Sequence, residues 1–157
     1  MPNIQFRTLV PGAPEQVYEY VTAYPANGRV SRKALEEKHG QLIEQDGDDY
    51  LFREDAEGGI IWRCSFDPPR RRVMRAQGFQ WADRIDYFEP FGDGTLWTIV
   101  WEPKASGIRS YTQWVMFKIR GKSQVQASLI MPVVDHFQQP PTSPARRTSR
   151  RPRRRRR

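Results

Sequence analysis

The sequence is poor in the residues that nucleophilic catalysis and metal binding draw on. It has one cysteine, Cys64, and two histidines, His39 and His136. A single cysteine excludes an internal disulfide and fits a reducing compartment. A reactive thiol needs a base beside it, and neither histidine is near Cys64 in sequence, so Cys64 reads as a buried structural thiol. Asp46, Asp48 and Asp49 lack the spacing and the closing glutamate of a calcium loop, and no other ligand set converges. No glycine-rich loop leads into a helix in the manner of a nucleotide phosphate site. The expectation is therefore no metal and no cofactor. No segment approaches the ~18 consecutive apolar residues of a membrane span. The opening Met1-Pro2-Asn3-Ile4-Gln5 lacks the basic and apolar regions of a signal peptide, and a soluble cytoplasmic protein is expected.

Acid is missing from one end of the chain. Residues 140–157 carry nine arginines, at 146, 147, 150, 151 and 153–157, and no aspartate or glutamate. The net charge of +8 falls to −1 without them, because 17 basic residues then stand against 18 acidic ones. The basicity belongs to this tail, and the remainder has no electrostatic case for binding nucleic acid. Large apolar residues are absent from residues 138–157, so a disordered arginine-rich tail, 139–157, is expected after a single domain, 1–138. Arg146–Arg157 would attract polyanions, nucleic acid or an anionic membrane, weakly and in a salt-dependent way. With no aromatic for base stacking, the tail would not read sequence.

Aromatic residues, by contrast, are plentiful, with five Trp, six Tyr and eight Phe. Residues 3–10 alternate at Ile4, Phe6 and Thr8 as a half-buried strand does. Pro14 and Glu15 suit the first turn of a helix running to about Tyr24, with Val17, Tyr20, Val21 and Tyr24 on one face. Residues 25–36 read as a loop with one helical turn, close to the mouth of a cavity. Strands follow at Gln41–Gln45, Tyr50–Glu54, Ile60–Phe66, Arg71–Gln77, Ala82–Glu89 and Thr95–Glu102. The segments Asp46-Gly47-Asp48-Asp49 and Pro90-Phe91-Gly92-Asp93-Gly94 are hairpin turns. From Tyr111 to Phe137 the apolar period becomes helical. A helix over about 110–137 is expected, kinked at Pro132, with Gly121 marking a close approach to the sheet.

This order of strand, helix, about six strands and one long last helix resembles the START-like, or helix-grip, superfamily. That group includes the polyketide cyclase/dehydrase and lipid-transport proteins and the Bet v 1-type proteins. The resemblance rests on Ile4–Val10, on Ala13-Pro14-Glu15-Gln16-Val17-Tyr18-Glu19-Tyr20-Val21, and on the hairpin from Asp86 to Trp97. It implies an α+β helix-grip fold: a curved seven-stranded antiparallel sheet around a long C-terminal helix, with an internal cavity. It implies no particular reaction, because the fold hosts carriers, receptors, cyclases and interaction modules.

With Trp97 placed inward, the expected ligand-binding residues are Trp62, Cys64, Tyr87, Trp97, Ile99 and Trp101 on the sheet. Tyr111, Trp114, Val115 and Met116 face them from the helix. Polar handles would come from Arg63, Arg84, Asp86 or Tyr87. Arg84 and Asp86 share a strand face opposite Ile85 and Tyr87, so with Tyr87 inward both point to solvent. Three functions fit: binding a small hydrophobic or aromatic, lipid- or polyketide-like ligand; a cyclase/dehydratase-type enzyme moving protons with Tyr87, Tyr111 or His136; and an interaction module whose arginine tail holds RNA or membrane phosphates. Exposed sheet edges are compatible with a monomer or a homodimer.

Overall fold

The computed structural model describes residues 1–54, 59–78, 81–104 and 107–139. Apart from Gln139, the expected tail lies outside the described residues. Strand β1 (Ile4–Val10) alternates as its sequence predicts, with Ile4, Phe6, Thr8 and Val10 less exposed than Gln5, Arg7 and Leu9. Helix α1 (Pro14–Thr22) starts on its proline and stops at Ala23, whose φ of 55° breaks the helical path. Its buried face is Val17, Tyr18, Val21 and Thr22. Tyr20 is exposed and stacks on His136 of the last helix, and Tyr24 lies past the last turn.

Residues 25–36 depart from expectation, because they lead into a second helix, α2 (Arg32–His39). Ser31 caps it, its hydroxyl oxygen accepting from the Ala34 N–H at 3.3 Å. Leu35 and His39, four residues apart, form its buried side. With only one large apolar residue on that side, the helix has almost no hydrophobic period. Gly40 ends it at φ 97°, where an added Cβ would sit 2.1 Å from the Arg53 carbonyl oxygen. Only glycine fits both the backbone and the space.

The remaining strands are β2 (Gln41–Asp46), β3 (Asp49–Arg53), β4 (Ile61–Asp67), β5 (Arg71–Gln77), β6 (Ala82–Phe91) and β7 (Gly94–Pro103). They form one antiparallel seven-stranded sheet in the order β1-β7-β6-β5-β4-β3-β2. Helix α3 spans residues 108–138. Two stretches within it, Phe117–Gly121 and Gln126–Ile130, are wider π-type turns. The second precedes Pro132, where a sequence kink is expected. Proline has no N–H to give the helix, and its ring crowds the carbonyl four residues back; a wider turn absorbs both faults. The insertion also explains the buried series Val125, Ile130, Val133: a five-residue step keeps these side chains on one face. Gly121 meets the Phe117 ring of its own helix rather than the sheet, because a Cβ there would lie 2.6 Å from that ring.

Two apolar clusters result. One joins Val10, Phe88, Trp97 and Ile99 of the sheet to Val17, Tyr18 and Val21 of α1 and Val125, Ile130 and Val133 of α3. The other joins Leu35 of α2 to Tyr50, Phe52, Trp62, Cys64, Phe66 and Ala76. Each large apolar side chain so buried contributes about 1.5–3 kcal/mol.

Candidate functional site

A cavity of about 680 Å³ opens between these clusters. The sheet contributes Trp62, Arg72, Met74, Arg84, Trp97 and Trp101 to its wall. Helix α3 contributes Ser128, Leu129, Pro132 and Val133, and α1 contributes Tyr20 and Val21. The end of α2, from Glu36 to Gly40, and Glu54 after β3 complete it.

Strand register decides which side chains reach this space. The β6–β7 hairpin pairs Phe91 with Gly94, hence Phe88 with Trp97, Asp86 with Ile99 and Arg84 with Trp101. Residues paired across an antiparallel ladder share a face. Arg84, Asp86 and Phe88 therefore lie on the concave face with Trp97, Ile99 and Trp101, while Ile85 and Tyr87 lie on the other with Val100 and Thr98. This reverses the sequence-based placement: Tyr87 points away from the cavity, and Arg84 and Asp86 are buried rather than solvated.

The floor is a buried ion cluster. Asp86 is fully buried, with Arg72 2% and Arg84 9% exposed. Oδ2 of Asp86 accepts from Arg72 Nε at 3.1 Å and Nη2 at 2.7 Å. Oδ1 accepts from Arg84 Nη2 at 2.8 Å and from the Trp97 indole N–H at 3.0 Å. Arg72 also donates from Nη1 to the Val21 carbonyl at 3.3 Å, tying β5 to α1. Burial alone would raise the Asp86 carboxyl, but the two guanidinium groups outweigh it and pull it down to about 2. Arg84 lies against Trp101, its guanidinium carbon 5.6 Å from the ring centre.

His39 is also buried at the wall. Its Nε2 lies 2.7 Å from the Thr22 carbonyl oxygen. A carbonyl only accepts, so Nε2 carries the proton and the neutral ring leaves Nδ1 bare. Burial, aided by the Arg72 charge, pushes this imidazole down to about 3. Lys38 is likewise lowered, by burial and by Arg72 and Arg84. Cys64 is buried and its thiol is pushed up to about 12, so it is not a thiolate near neutral pH.

Of the ligand-binding residues expected from sequence, Trp62, Trp97 and Trp101 line the cavity. Cys64 and Ile99 are buried in the flanking clusters. The N-terminal half of α3 does not reach the cavity, because the long helix presents only its C-terminal half there. Tyr111 is 56% exposed and stacks on Trp114. Trp114 is buried and donates its indole N–H to the Pro2 carbonyl at 3.1 Å, clamping the N-terminus. Val115 is half-buried and Met116 exposed. Arg63 pairs with Asp49 at 3.8 Å, away from the cavity wall. The proton-transfer candidates Tyr87, Tyr111 and His136 all lie outside the lining. His136 stacks on Tyr20 with ring centres 4.0 Å apart.

Sequence reading missed Arg72 and His39, and it placed residues 25–36 near the cavity mouth as a loop with one helical turn rather than as the approach to helix α2, whose end forms the rim. Among the described residues no group of three or more His, Cys, Asp or Glu side chains is placed to hold a metal ion. No helix among them is long and apolar enough to cross a membrane. The arrangement is an aromatic cleft over a buried cluster of two arginines and one aspartate.

No family model and no curated protein matches the sequence. Solved structures do. The chain is similar to the Aha1 dimer of Colwellia psychrerythraea at 15% identity and a TM-score of 0.52, covering 87% of this chain and 96% of that one. It is similar to a protein of Thermus thermophilus at 16% identity and a TM-score of 0.51, again over 87% and 96%. It is also similar to DynU16, a protein in the dynemicin biosynthetic locus, at 14% identity and a TM-score of 0.50, over 84% of this chain and 48% of that one. At such identities the likeness shows the fold alone, an α+β helix-grip fold with a seven-stranded antiparallel sheet and a long C-terminal helix.

Proposed function

We propose that this chain binds a small hydrophobic or aromatic ligand in the sheet–helix cavity and acts as a carrier or sensor without turnover. The observation that carries this reading is the cavity itself. Its 680 Å³ falls within the range of small-molecule sites, and three tryptophans, Trp62, Trp97 and Trp101, supply flat apolar walls. Covering ~300 Å² of apolar ligand surface contributes ~7 kcal/mol gross. Lost motion and ordering consume much of it, which leaves micromolar affinity within reach. The residues that would make an enzyme of the cyclase/dehydratase kind, Tyr87, Tyr111 and His136, lie off the cavity wall, which favours binding over turnover.

The test is titration with the neutral fluorescent probe N-phenyl-naphthylamine. A saturable rise in emission with one site per chain is expected. Ser128→Trp places a bulky ring at the α3 wall and should abolish the signal while the melting temperature holds. Undiminished binding by that variant, or none by the parent, would overturn the reading.

A further inference from the structure

Arg84 is the under-used member of the ion cluster. Asp86 already accepts from four donors, Arg72 Nε, Arg72 Nη2, Arg84 Nη2 and Trp97 Nε1. A carboxylate offers about four lone-pair positions, so it has no capacity left. Arg72 is engaged through all three of its nitrogens, Nε, Nη1 and Nη2. Arg84 makes one hydrogen bond among the described residues, through Nη2, and its buried Nε has no partner. Burying a guanidinium with an orphan N–H is costly unless something else satisfies it.

A second orphan donor belongs to the neighbouring residue Trp101. The Trp101 indole Nε1 is buried without a partner among the described residues, and Trp101 is the ring against which Arg84 packs. Both residues line the cavity. Two unpaired N–H groups in one wall call for an acceptor, and the local charge says which kind. Two guanidinium groups face one carboxylate, an excess of one positive charge. The acids at the cavity rim are half-buried or exposed, so solvent screens their charge from the floor, and each has a partner of its own. Glu36 accepts from Arg32 and from the Leu42 N–H, Glu54 accepts from the Trp62 indole, and Glu37 pairs with Lys33 at 3.9 Å. Lys38, on the same wall, adds to the cationic side. A neutral acceptor or a water could satisfy the donors but would leave the charge in place.

We infer that the ligand is an apolar acid, its carboxylate held by the free edge of Arg84 and its aromatic or alkyl body lying against Trp62, Trp97 and Leu129. This deepens the ligand-binding reading and rests on it. A planar carboxylate matches the guanidinium edge better than a spherical or neutral group does.

The experiment compares 2-naphthoate with its neutral isostere 2-naphthamide by calorimetry on the full chain at physiological salt, which screens the arginine tail. The acid should bind about ten-fold or more tightly than the amide. Arg84→Met should bring the two within about two-fold. The Arg84 Nε–Hε resonance should shift with naphthoate and not with naphthamide, a readout that needs no variant and stands if Arg84→Met fails to fold. If neither compound binds, the cavity-binding reading itself fails. If both bind equally, or if the acid preference survives Arg84→Met or leaves the Arg84 resonance unmoved, binding is real but the carboxylate site is not.

Discussion

Arg72 and Asp86 stand directly opposite each other across the β5–β6 ladder and are joined by two charge-assisted hydrogen bonds, at 2.7 and 3.1 Å, with both side chains buried. The pair sits at the seam between the two apolar clusters and reaches α1 through the Val21 carbonyl. It therefore fixes the spacing of the cavity floor as well as the sheet. Coulomb attraction in a buried pair is strong, but desolvation offsets much of it, so the intact cluster adds little net stability. Its members are nevertheless costly to remove singly.

Asp86→Asn follows from that asymmetry. Two guanidinium groups would remain buried with no counter-charge, and urea unfolding at pH 7 should report a loss of about 3–5 kcal/mol. Arg84→Met, which leaves Asp86 paired with Arg72, should cost distinctly less. Equal losses in the two variants would contradict the ranking of Arg72 above Arg84 as the partner of Asp86.

Acid should weaken the fold through His39. Its folded value of about 3 lies below the ~6.5 of an exposed imidazole, so from about pH 6.5 downward the unfolded chain takes up a proton that the folded one refuses. Stability contributed by the neutral ring is present above pH 6.5 and is lost as the pH falls toward 3, by on the order of 5 kcal/mol in all. Asp86 acts lower. Its carboxyl is held at about 2, so its contribution is present above the ordinary value near 3.9 and disappears only as the pH falls through 2. Urea midpoints measured from pH 7 to 4.5 should therefore fall less steeply in His39→Gln than in the parent, and parallel curves would refute the assignment.

Gly40 tests the rim. Any Cβ there meets the Arg53 carbonyl at 2.1 Å, and the φ of 97° is itself unfavourable for other residues. Gly40→Ala should lower stability by about 1–3 kcal/mol. It should also weaken the neutral probe more than Gly47→Ala does, because Gly40 lines the cavity whereas Gly47 has open space around it in the distal β2–β3 turn. A cost no larger than that of Gly47→Ala would remove the close approach as a constraint.

Punctuation and period carried most of the architecture. The turn at Gly92-Asp93 and the alternation around Trp97 placed the β6–β7 hairpin to within two residues, and the change to a helical period placed α3. The phase of β6 was misread because its two faces mislead by hydrophobicity: Ile85 and Tyr87 look like core, while Arg84 and Asp86 look like surface. A buried ion cluster defeats any pattern that ranks faces by apolarity. The information was present in another form, since pairing Phe91 with Gly94 forces Arg84 opposite Trp101 whatever their polarity. Helix α2 was hidden because Leu35 alone marks its buried side. Tyr111 and Trp114 have the correct helical period, but periodicity says nothing about which half of a long helix meets the cavity; that depends on where β1 and α1 dock against it.

The arginine tail supplies the last prediction. The chain carries +8 overall, yet residues 1–139 carry −1, so removing 140–157 changes the sign of the net charge. Full-length protein should be retained on heparin at low salt and elute steeply as salt rises, because each neutralised anion on the matrix releases a counterion. The chain ended at Gln139 should flow through under the same conditions while its thermal melt and its binding of the neutral probe are unchanged. Retention of the shortened chain would place a polyanion contact on the folded body. The cationic cavity floor of Arg72, Arg84 and Lys38 would then be the first place to look, and competition between heparin and 2-naphthoate would decide whether the two share it.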